Sequence, residues 1–74
     1  MEDLMRAQVE NTRAFANTLV GMNIDAALAQ AIDQGFEMRI VERDGENFAV
    51  TMDYRTNRVN VSVTDDIVTN ASVG

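Results

Sequence analysis

Residues 57–69, Asn57-Arg58-Val59-Asn60-Val61-Ser62-Val63-Thr64-Asp65-Asp66-Ile67-Val68-Thr69, decide the fold. Val59, Val61 and Val63 alternate with Asn60, Ser62 and Thr64, the period-two pattern of a strand that buries one face. Thr64-Asp65-Asp66 is turn chemistry. Ile67-Val68-Thr69 then begins a further, shorter strand running toward Val73. Two strands joined by so short a connection pair antiparallel.

Upstream, Phe36 to Arg43 ("FEMRIVER") alternates in the same way. Phe36, Met38 and Ile40 face one side, and Glu37, Arg39 and Arg43 the other. Asp44-Gly45-Glu46-Asn47 reads as a turn. Residues 44–57 make too long a link for a simple hairpin, but long enough for a crossover between parallel strands. Loops beyond about 12 residues are usually functional or disordered.

Further upstream lies a helix over 24–34. Asn23 suits the N-cap and Asp25 the first turn. Ile24, Ala27, Leu28, Ala31 and Ile32 recur at helical spacing, and Gly35 stands where a left-handed C-cap is expected. Leu19-Val20-Gly21-Met22 reads as a connector. Residues 1–18 read as an N-terminal arm, helical or disordered. Leu4, Met5, Val9, Phe15 and Ala16 form a loose apolar face, and Glu2 and Asp3 suit a helix N-terminus. The resulting fold class is α+β. One main helix packs on a small mixed three-stranded sheet, and a long exposed loop joins two parallel strands.

The chain has 74 residues, one small domain's worth, and buries only about 60% of the surface of its unfolded form. It has no Cys and no His, which removes disulfides, the usual zinc sites, Cys nucleophiles and His bases. No metal or other cofactor is expected. Twelve acids against six Arg give a net charge of −6, which disfavours nucleic acid and anionic membranes as partners. There is no apolar run of bilayer length and no recognisable signal peptide. The absent cysteines fit a reducing compartment and a secreted mature chain equally well, so the location stays open.

One feature of the long link stands out. Ala49-Val50-Thr51-Met52-Asp53-Tyr54-Arg55 sets a methionine between a threonine and an aspartate, and Arg58-Val59 follows. On these residues, with Leu19-Val20-Gly21 before the helix, "NRVNV" and the final "VG", residues 19–74 resemble the potato inhibitor I family of serine protease inhibitors, the eglin and barley chymotrypsin inhibitor group. The "DYR..R.N" pattern is also similar to that family's small fungal and bacterial relatives, many of which carry a disulfide.

The resemblance implies a wedge-shaped domain, residues 19–74, whose loop at about 44–57 lies in a protease active site like a substrate. The scissile bond would be Met52–Asp53. Met52 would fill the primary specificity pocket, and Val50, Thr51, Tyr54 and Arg55 would line the groove. Methionine suits an apolar pocket of the subtilisin, chymotrypsin or elastase kind rather than a trypsin-like one. The resemblance also implies loop support by Arg58, reaching the Asp53 carboxylate, the loop carbonyls, or both. Thr51 and Asp53 would share that network. Asn60, standing where the plant and leech proteins have a second supporting arginine, would also support the loop, with shorter reach and no charge.

Other readings attach to the same residues. Met52 is alternatively a core side chain under a folded-over loop, Arg58 a solvated strand-end charge, and Asp53 an ordinary loop acid. "NAS" at 70–72 matches a glycosylation acceptor, a motif short enough to arise by chance. At the level of function, the alternative to an inhibitor is a non-inhibitory binding or assembly module, with the N-terminal arm as a homodimer surface. An enzyme is disfavoured, because no His, Cys or Lys is present to serve as nucleophile or base.

Overall fold

The computed structural model describes residues 2–74. Met1 lies outside the described residues, as do the side chains of Glu2 and Asp3, which were expected to favour the helix start. The element order is α1 (Glu2–Leu19), α2 (Ile24–Gln34), β1 (Glu37–Arg43), β2 (Glu46–Asn47), β3 (Arg58–Thr64) and β4 (Ile67–Val73). The fold is α+β, with both helices packed on the sheet.

The sheet has four strands rather than three, in the order β2-β1-β3-β4. β1 and β3 are parallel, and β3 and β4 antiparallel, as the link lengths predict. The extra strand comes from residues read as a turn. Asp44 and Gly45 both have positive φ, 51° and 83°, which matches the twist of a two-residue hairpin. Glu46 and Asn47 therefore fold back on Arg43 and Glu42. Asp65 and Asp66 turn the β3–β4 hairpin in the same way, with φ of 51° and 65°. Aspartate tolerates this left-handed region better than most side chains. The two turns touch where the Asp65 amide donates to Asp44 Oδ1 at 2.9 Å.

α2 starts and stops where its caps predict. Asn23 Oδ1 accepts from the Asp25 amide at 2.8 Å, and Gly35 closes the helix at φ 79°. Its buried face is narrower than the sequence pattern: Ile24, Ala27 and Ala31 are buried, whereas Leu28 and Ile32 are exposed. The reason is α1, which takes much of the sheet face. The arm is a helix, and it extends through Leu19, a residue expected in the connector. Phe15, Ala16 and Leu19 join Val59, Val61, Val63 and Val68 in the core. The Phe15 ring stacks on Phe36, centroids 4.4 Å apart. Leu4 and Met5, on the first turns of α1, stay exposed.

Along β1 the alternation breaks once. A register shift between Ile40 and Glu42 brings Arg43 opposite Val63, out of phase with Glu37 and Arg39. There Arg43 pairs with Asp66 at 2.9 Å. On the far edge, the Gly21 amide donates to Val68 O and the Val68 amide to Met22 O, both at 2.8 Å. The segment between the helices thus covers part of β4 and limits free edge for strand addition.

Candidate functional site

After β2 the chain leaves the sheet. Residues 48–55 carry no regular structure, and 56–57 turn into β3. Met52 stands at the outermost position, 96% exposed. This removes the reading of Met52 as a core side chain. Val50, Thr51, Asp53, Tyr54 and Arg55 are also exposed, so one continuous face of the loop is open to solvent.

Three of the chain's six arginines brace the loop, Arg39 and Arg58 from the sheet below and Arg55 from within it. Arg58 begins β3 and is 6% exposed, so it is no solvated strand-end charge. Its Nη2 donates to the Asp53 carbonyl at 2.6 Å and to Gly74 O at 2.8 Å. The Asp53 carboxylate lies 3.6 Å away, so Arg58 reaches carbonyl and carboxylate together. Its Nε is buried without an acceptor among the described residues. A planar guanidinium is suited to bridging several acceptors on one side in this way.

Asp53 is the centre of a second set of contacts. Its carboxylate accepts from the Thr51 hydroxyl and from Arg55 Nε, the latter at 3.0 Å. Arg55 also faces Glu37 on β1, at 3.8 Å. These donors, Thr51 first, then Arg55, and the charge of Arg58 hold the Asp53 carboxyl well below the usual carboxylate range. The same pairing with Asp53, with Glu37 adding to it, raises the pKa of Arg55. Asp53 is therefore a bracing group rather than an ordinary loop acid. Its hydrogen bond with Thr51 spans Met52, tying the two residues that flank it.

Asn60 does not bond to the loop. Its Oδ1 accepts from Arg39 Nε at 2.5 Å, and Arg39 Nη1 carries the contact onward to Thr51, 3.1 Å from Oγ1 and 3.4 Å from the carbonyl oxygen. Sequence reasoning missed Arg39. Its alternation put it on the same sheet side as Asn60, but the rung that joins them, Arg39 opposite Asn60, depends on the parallel register of β1 on β3. Gly74 was also missed. A β-carbon there would lie 2.9 Å from Asn60 Nδ2 and 3.9 Å from the Tyr54 ring. The Gly74 oxygen also accepts from the Arg55 amide at 3.2 Å.

At the loop's C-terminal end, α1 adds contacts. The buried Thr12 hydroxyl lies 2.6 Å from Thr56 O, and the Thr56 hydroxyl donates to Gln8 Oε1. No cluster of metal-ligating side chains occurs among the described residues. The site therefore offers an exposed, braced peptide segment with one apolar side chain at its tip. No protein-family model, curated protein or solved structure matches the chain.

Proposed function

We propose that the protein is a reversible, substrate-like inhibitor of serine proteases with an apolar primary pocket, cut slowly if at all at Met52–Asp53. The observation that carries this reading is the contrast at the loop tip. Met52 is almost wholly exposed, while both its neighbours are tied down, Thr51 by Arg39 and Asp53 by Arg55, Arg58 and Thr51. An exposed connector with no such role has no need of three guanidiniums to brace it.

The physics supports inhibition over digestion. A loop ordered before binding avoids much of the ordering cost of association. Its backbone can pair with an enzyme strand edge, and its unbranched Met52 side chain adapts to an apolar pocket. If the loop stays ordered after cleavage, the new Asp53 amine remains beside the acyl-enzyme, and religation competes with water.

Titration against subtilisin and chymotrypsin, with mass spectrometry of the recovered protein, tests the reading. Stoichiometric inhibition with a single slow cut at Met52–Asp53 supports it. Rapid cutting at many bonds, or no inhibition of either enzyme, refutes it. A second reading, an assembly module, is favoured by the exposed Leu4 and Met5 near the start of α1. It predicts a dimer in sedimentation and no protease inhibition.

A further inference from the structure

Arg39 and Asn60 are direct partners on the parallel β1–β3 ladder. The bond from Arg39 Nε to Asn60 Oδ1, 2.5 Å, fixes the plane of the guanidinium, and its Nη1 then meets Thr51. Arg58, on the neighbouring strand, meets the Asp53 carbonyl. Thr51 precedes Met52 and Asp53 follows it. Two guanidiniums from two hydrogen-bonded strands thus hold opposite sides of one peptide bond. The distance between these anchors is set by the sheet, not by the integrity of the loop.

Taking the inhibitor reading above as its basis, we propose that Arg39 is a positioning residue, oriented by Asn60, that holds the acyl side of Met52–Asp53 while Arg58 holds the amine side. The two roles are separable on chemical grounds. In acylation the protease serine oxygen bonds to the Met52 carbonyl carbon and the Met52–Asp53 bond breaks. The serine proton passes through the enzyme's base to the Asp53 nitrogen. Met52 is then covalently held by the enzyme, so the grip of Arg39 on Thr51 is redundant at this stage. The Asp53 amine has no bond to the enzyme; Arg58, the buried brace on the Asp53 carbonyl, keeps it in place together with the Arg55 contact to the carboxylate. Religation is attack of that amine on the ester, with the proton returned to serine; hydrolysis is the same attack by water. Loss of Arg39 therefore acts on association of the free loop, and loss of Arg58 on the choice between religation and hydrolysis.

The test compares the parent with Arg39→Ala, Arg58→Ala and the exchange variant Arg39→Asn/Asn60→Arg, which swaps the two side chains across one rung. Three quantities are read: the inhibition constant against subtilisin, the fraction hydrolysed per binding event, and the NMR order parameters of Thr51 and Met52 in the free protein. Losing one charge-assisted hydrogen bond at a partly exposed site raises the inhibition constant of Arg39→Ala about tenfold. Its hydrolysed fraction stays close to the parent's, its order parameters at 51 and 52 fall, and the exchange variant recovers both affinity and order. Arg58→Ala raises the hydrolysed fraction about tenfold or more. Unchanged order at Thr51 and Met52 in Arg39→Ala overturns the proposal. So does a hydrolysed fraction that rises in Arg39→Ala as it does in Arg58→Ala. If the parent neither inhibits nor is cut at Met52–Asp53, the inhibitor reading fails and the acyl-side role falls with it. The order parameters still decide, separately, whether Arg39 holds Thr51.

Discussion

The hydroxyl of Thr12, buried on α1, lies 2.6 Å from the carbonyl oxygen of Thr56 at the exit of the loop. Its single proton has a second acceptor in reach, the Gln8 carbonyl of its own helix at 2.8 Å. The Thr56 hydroxyl returns the contact by donating to the Gln8 side chain. The N-terminal helix thus braces the chain where the loop rejoins the sheet.

Thr12→Val keeps the shape and removes the donor. It leaves the Thr56 carbonyl without this partner and lowers stability by about 1 kcal/mol. Urea unfolding checks this: the midpoint falls while the slope is unchanged. An unchanged midpoint would show that the bond contributes nothing net.

Met52→Lys alters a side chain that touches almost nothing in the free protein. The free energy of unfolding stays within about 0.5 kcal/mol of the parent. Under the inhibitor reading, affinity for a subtilisin-like enzyme falls and inhibition of trypsin appears. Equal inhibition of both enzymes by parent and variant would remove Met52 from the primary pocket.

Arg58→Ala strips the donor from the Asp53 and Gly74 oxygens at once. Two charge-assisted contacts at a buried site make this the most damaging single change in the loop support, at roughly 2 kcal/mol. The variant is digested during incubation with protease while the parent persists. A parent-like lifetime on a gel time course would rule out the supporting role.

Asp53 provides a pH test with a definite sign. Its folded-state pKa lies below the ordinary 3.8, because Thr51, Arg55 and Arg58 favour the charged form. Unfolding raises it again, so the unfolded chain binds the proton more tightly in acid. The stabilising contribution is fully present above the ordinary value and is lost as pH falls through the lower folded value. Carboxyl carbon NMR should show Asp53 still ionised at pH 3.8, and Asp53→Asn should be parent-like in its response to acid apart from this loss. Half-titration of Asp53 near 3.8 would contradict the bracing geometry.

Much of this molecule is legible locally. The bounds of α2 follow from Asn23, Gly35 and a 3.6-residue period, and β3 follows from three alternating valines, because caps and periodicity act over a few residues. The Asp44-Gly45 hairpin was half legible. Its turn residues were read as a turn, but pairing of Glu46 and Asn47 with β1 depends on a backbone twist that composition does not encode. The arm was ambiguous for a similar reason. Leu4 and Met5 have the same apolar character as Phe15, and only the position of the sheet beneath them decides which are buried.

The loop divides along the same line. The contact between Arg58 and Asp53, five residues apart, was implied by the resemblance to the inhibitor family. Arg39 meets Asn60 and Thr51 only after a parallel register has brought β1 beside β3, and Thr12 meets Thr56 only after α1 has packed on the sheet. α2, the strands β1, β3 and β4 and the two turns follow from neighbouring residues, because they rest on short-range sterics and hydrophobic period, whereas the exposure of Met52 was implied only by the resemblance. The tertiary structure alone decided which side chains brace that methionine. Register and helix docking are settled by burial of the whole core, and no window of neighbouring residues contains that information.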